Sequence, residues 1–91
     1  MNGSSPAIAG QGGPSMPLHD LPRGRTATIV GIDGDDGLAH RLQASGLWCG
    51  AAIERLAAAP FGDPLLFRVH GFRLALRRSE AARVRVQEAN A

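Results

Sequence analysis

The chain has 91 residues, 44% hydrophobic and 20% charged, values of an ordinary globular domain, with room for one small module and not for several. No apolar run approaches the roughly 18 residues of a membrane helix; the longest, Leu47 to Ile53, is interrupted at Gly50 and stops at Glu54. All ten basic residues are arginine, so the formal net charge of +2 does not titrate away, and the missing lysine excludes a Walker A loop, a Schiff base and a lysine general base.

Residues 1–17 hold four glycines and three prolines, no charge and almost no large apolar side chain, and read as a disordered leader that cannot offset its own ordering entropy. One folded domain is expected over 18–88, with 89–91 as a tail. A single cysteine, Cys49, closes no intramolecular disulfide and no secretory signal pattern opens the sequence, so the cytoplasm is the expected compartment.

The β-branched run Thr26 to Ile32 follows the turn signal Pro22-Arg23-Gly24 and predicts the first strand. Asp33-Gly34-Asp35-Asp36-Gly37 then opens a short helix from Asp36 to Ser45, with an aspartate cap and Leu42 four residues after Leu38. Gly46 stands at the left-handed stop position, which pairs Leu42 with Leu47 across a Schellman motif. Ala51 to Ala59, bracketed by Gly50 and Pro60, predicts the second strand. After the turn Phe61-Gly62-Asp63-Pro64, Leu65, Phe67 and Val69 alternate with Leu66, Arg68 and His70 as a half-buried third strand. His70-Gly71 reverses the chain into a fourth strand carrying Leu74 and Leu76. A single helical turn over Ser79 to Ala82, capped by Ser79, leads to a last strand with Val84 and Val86 inward. Phe67 and Phe72 are expected in the core. The reading is mainly β: a small five-stranded barrel with one short helix, curled because so short a chain has few other ways to hide its sheet edges. Pattern alone does not separate an SH3-like barrel from an OB-like one.

An ordered series of short motifs adds to this. Leu18-His19-Asp20-Leu21-Pro22-Arg23-Gly24 precedes the first strand; Arg41-Leu42 and Gly46-Leu47 flank the helix stop; Gly50 and Ile53 follow. Then come Pro60-Phe61-Gly62-Asp63-Pro64, Gly71, Leu74-Ala75-Leu76-Arg77, Glu80-Ala81, Val84 and Val86. The series resembles the FeoA family, small cytoplasmic proteins that accompany the ferrous-iron permease FeoB. The resemblance implies an SH3-like barrel, shared with the C-terminal domain of some iron-dependent repressors. It also implies an accessory or activating role in ferrous-iron uptake through contact with the permease's cytoplasmic region. Cys49 departs from the family, which often carries proline before the glycine of the second strand, and the leader lies outside the family pattern.

The remaining chemistry is sparse. His19, His40, His70 and Cys49 show neither the i, i+4 nor the Cys-x-x-Cys spacing that preorganises a metal shell, so no cofactor is expected beyond weak transition-metal binding or a site shared between chains. In the aspartate-rich turn, Leu38 and Ala44 fall where a calcium loop needs glycine and a bidentate acid. No serine or cysteine has a base in a recognisable arrangement, and no enzyme activity is expected. Arg68, Arg73, Arg77, Arg78, Arg83 and Arg85 crowd the C-terminal half, which makes an arginine-rich nucleic-acid-binding or metal-responsive barrel the competing reading. Against it, aromatics are only 4% of the chain, with one tryptophan and no tyrosine, so the stacking platform of a single-strand binder is nearly absent. The expected partner is therefore the permease, with neither nucleic acid nor direct membrane insertion. Leu47, Trp48 and Cys49, in the loop after the helix, are the candidate contact residues together with Arg77 and Arg78. Trp48 is read as either a plug over the barrel end, slightly favoured, or an exposed anchor.

Overall fold

Alternating apolar residues, from Ala27 and Ile29 to Val84 and Val86, find their places in one antiparallel sheet. The computed structural model describes residues 14–88. Its elements are β1 (Met16–Pro17), a 3₁₀ turn (Leu18–Asp20), β2 (Thr26–Ile32), α1 (Gly37–Ala44), β3 (Ala52–Ala58), β4 (Leu65–Val69), β5 (Phe72–Leu76), α2 (Arg78–Ala81) and β6 (Val84–Glu88). The sheet order is β1-β6-β2-β3-β4-β5. β2 lies centrally, with Ala27 opposite Ile53 on one side and Ile29 opposite Val86 on the other. Register shifts between Ile29 and Gly31, and between Arg55 and Ala58, bend the sheet around a core led by Phe67, Leu18, Leu21, Ile29 and Ile53, all at 0 or 1% exposure.

The mainly β architecture and the helix are as expected; the strand count and closure differ. A sixth strand is formed by Met16 and Pro17, which pair with Val86 and Arg85. Two residues carry no periodicity to read, and proline, lacking an N–H, is compatible with the outer edge that it occupies. The expected leader 1–17 thus overlaps the sheet at its last two residues, while 1–13 and the tail 89–91 lie outside the described residues. No hydrogen bonds join β1 to β5. Instead α2 packs against both β5 and the 3₁₀ turn, so side chains rather than a ladder bridge the two edges.

Local signals mostly act as read. Asp36 caps α1 by accepting from the Ala39 N–H at 3.2 Å. α2 begins one residue early, and its cap is not the Ser79 hydroxyl: the Glu80 carboxylate accepts the Arg77 N–H at 2.8 Å. Glutamate in the first turn does this well because it also meets the positive end of the helix. Phe72 leaves the core as well, at 46% exposed. It shares a face with Leu74 and Leu76, but stands beyond the core, where its ring meets His70 and the helix stop.

Candidate partner-binding surface

The helix stop builds one end of the molecule. Gly46, at φ 102°, takes the left-handed conformation that terminates α1. Its N–H donates to the Gln43 carbonyl at 3.0 Å and the Leu47 N–H donates to the Leu42 carbonyl at 3.4 Å, while Leu42 and Leu47 are both buried. That contact drives Leu47 inward and turns the next residue outward. Leu47 at 1% exposure therefore holds the stop in place and offers no contact surface, contrary to its place among the candidates.

Trp48 is 57% exposed, so it is not the plug that the sequence slightly favoured. The Schellman pair already closes this end, and the indole lies over it. Its Nε1–H donates to the Gln43 carbonyl at 3.0 Å. Its ring sits 4.7 Å from His70, tilted by 46°, and His70 in turn lies 6.2 Å from Phe72. His70 reaches this position because His70 and Gly71, with φ of 53° and 81°, form the two-residue turn that matches hairpin twist. The His70 Nε2 lies 2.8 Å from the Gly46 carbonyl; a carbonyl only accepts, so Nε2 carries the proton. The result is an exposed aromatic trio held by two bonds to the helix end. Cys49 beside it is exposed, with Sγ 3.6 Å from the Val30 carbonyl. Sequence reasoning found Trp48 but missed its partners, although the His70-Gly71 reversal was the available signal.

Arg77 and Arg78 are not beside Trp48. They sit past the other end of β5, where the Arg78 N–H donates to Asp63 Oδ1 at 2.9 Å and its Nε–H donates to the Gly62 carbonyl at 2.8 Å. Arg77, Asp63 and Pro64 line a surface depression of about 300 Å³. Two separate ends thus share the candidate residues, whose nearness the sequence had left open.

The arginine-rich half is less cationic than its sequence suggests. Among the described residues two of its six arginines are paired, Arg68 with Glu54 at 3.0 Å and Arg83 with Asp36 at 2.6 Å, while its acids Glu80 and Glu88 pair with Arg41, at 2.9 Å, and Arg25 of the N-terminal half. The bond from Arg83, then that from the Ala39 N–H, holds the Asp36 carboxyl below the ordinary aspartate range. Among the described residues no three histidine, cysteine or carboxylate side chains gather as a metal site, and no helix is long and apolar enough to cross a membrane. His19 Nε2 lies 3.4 Å from Asp20 Oδ1.

Comparison with known proteins places this architecture. Residues 16–88 match the family model of the FeoA domain. The chain belongs to the FeoA family. That family is associated with ferrous iron transport, and its members are described as SH3-like. A fusion of Fe(2+) transport protein A with the Fe(2+) transporter FeoB from Porphyromonas gingivalis is 32% identical over 72 residues, 79% of this chain. The chain spans only 8% of that relative's length. FeoA of Stenotrophomonas maltophilia, solved with zinc and described as a prokaryotic SH3 domain protein, is 37% identical with a TM-score of 0.70. The match covers 79% of this chain and 89% of that one. A FeoA-like protein from Clostridium acetobutylicum aligns at 26% identity and TM-score 0.79, over 85% of this chain and 90% of its own.

Proposed function

We propose that this chain is an accessory and regulatory protein of ferrous-iron uptake, acting on the cytoplasmic side of the membrane by contact with a FeoB-type permease. The observation that carries the reading is the Porphyromonas relative, in which a segment like this chain and a FeoB transporter are one polypeptide. Covalent linkage raises the effective concentration of two parts for each other, which is useful where the parts meet. The chain's own inventory agrees. It has no lysine for a phosphate loop and no evident catalytic constellation, so an effect on iron flux is exerted through a partner that has those parts, and the chain is no enzyme.

Trp48 is the anchor in this proposal, with Cys49 at its side. An aromatic ring already fixed by a hydrogen bond and a tilted histidine ring against it loses little freedom on docking. No tight metal cofactor is invoked. The nucleic-acid reading is the weaker one, because Arg68 and Arg83 are ion-paired and the chain has one tryptophan and no tyrosine to stack on bases. Deleting the gene in its own organism tests the proposal. Ferrous-iron uptake should fall while permease abundance, followed by immunoblot, stays constant; undiminished uptake would refute it.

A further inference from the structure

Phe61 is the most exposed large apolar side chain described, at 98%, and the fold gives it no internal task. It is nevertheless displayed on a well-tied loop. The Gly62 N–H donates to the Ala59 carbonyl at 2.7 Å, the Ala59 N–H donates to the Pro64 carbonyl at 2.9 Å, and Arg78 holds both Gly62 and Asp63. Arg78, which holds this loop, is one of three arginines close enough to act on one another's charge. Arg55 on β3 donates from Nη1 to the Leu21 carbonyl at 3.0 Å, but its Nε is buried without a partner. The turn carrying Arg23 is stitched to the same residue, since the Gly24 N–H donates to the Arg55 carbonyl at 2.8 Å and the Arg55 N–H donates to the Arg25 carbonyl at 2.9 Å. Burial first, then repulsion from Arg78 and Arg23, lowers the Arg55 pKa, although arginine remains a cation. None of Arg23, Arg55 and Arg78 forms an ion pair with a carboxylate side chain among the described residues.

We infer that this end, opposite the Trp48 trio, is a second docking surface that receives an acidic segment of the permease's cytoplasmic region. An apolar pocket takes Phe61 and a carboxylate faces Arg23, Arg55 and Arg78. The inference rests on the permease reading above and adds the chemistry of the contact. Two observations favour a protein over an anionic membrane. The loop is preorganised, which benefits a partner of fixed shape. Arg55 is also partly buried, and so less open to a flat headgroup layer than an exposed arginine. A lone phenylalanine is, besides, a smaller anchor than a myristoyl chain, which by itself holds a membrane only marginally.

The test uses the full chain and the complete FeoB-type permease of the same organism in nanodiscs of zwitterionic lipid, with empty nanodiscs containing phosphatidylglycerol alongside. Phe61→Ser and Arg23→Glu should each weaken binding to the permease about tenfold, as loss of an interface aromatic or reversal of an interface charge does, with melting temperature unchanged because both side chains are exposed. Raising salt should weaken the wild type more than Arg23→Glu. Unaltered permease affinity in the two folded variants overturns this inference and leaves the permease reading standing. Failure of the wild type to bind overturns both. Phe61-dependent binding to the empty anionic nanodiscs, with permease affinity indifferent to Phe61, assigns the surface to lipid and overturns it too.

Discussion

Replacing Trp48 by alanine separates the contributions of this residue to folding and to binding. A fully buried aromatic removes about 150–250 Å² from water. At 57% exposure Trp48 removes roughly two fifths of that, about 60–110 Å². At about 25 cal/mol per Å², and allowing for a compact denatured state, the loss comes to about 1–2 kcal/mol. The hydrogen bond to Gln43 adds little at an exposed site, since Gly46 also serves that carbonyl. A melting temperature lower by roughly 5–15 °C follows for a domain of this size. Truncating a buried tryptophan instead costs about 3–5 kcal/mol. Binding to the permease should fall by about 1–3 kcal/mol, roughly 5- to 150-fold, if Trp48 is an anchor. Denaturant titration and calorimetric or surface-based affinity measurements on the one variant read both quantities. A stability loss above about 4 kcal/mol, beyond the range for a half-exposed ring, would refute the reasoning about exposure. Unchanged affinity in a folded variant would refute the anchor.

Gly46→Ala should destabilise by about 1–3 kcal/mol, because a side chain at φ 102° is strained and its Cβ would stand 3.1 Å from His70 Cδ2. Gly50→Ala, at φ 97° with nothing within 4 Å, carries the backbone cost alone, so chemical denaturation should place it between wild type and Gly46→Ala. Asp36 titrates lower in the folded state than in the unfolded chain, so its contribution is complete above about pH 5 and disappears as pH falls below about 4 through the depressed value. Wild type should accordingly melt above Asp36→Asn at pH 7, and the gap should narrow as pH falls below about 4; a gap independent of pH would count against the Arg83–Asp36 pair. Calorimetric titration of Fe²⁺ or Zn²⁺ into the monomeric chain should reveal no sub-micromolar stoichiometric site, given the scattered ligands; tight binding by a proven monomer would overturn that expectation.

Features carried by neighbouring residues were legible without the fold. Gly46 with Leu42 and Leu47 spelled a helix stop, His70-Gly71 a two-residue hairpin, and the alternation of Leu65, Phe67 and Val69 the buried face of β4. Each rests on local backbone geometry or period-two patterning, which a linear reading contains. The family motifs are of the same kind, being ordered along the chain. What depended on packing was not legible. Met16 and Pro17 become a strand only because β6 lies beside them, and Phe72 is exposed only because the core ends before it.

The candidate surface divides along the same line. Sequence by itself singled out Trp48, Cys49, Arg77 and Arg78 and left open whether they meet; β5 settles that by holding the two groups at its opposite ends. Sequence counted the cations of the C-terminal half, whereas tertiary structure decided which of them Glu54 and Asp36 neutralise. It also brought the turn carrying Arg23 against Arg55, 32 positions further along the chain. The physical reason is that propensity, capping and alternation act over a few residues, while exposure and charge pairing belong to side chains that only the curled sheet brings within reach of one another.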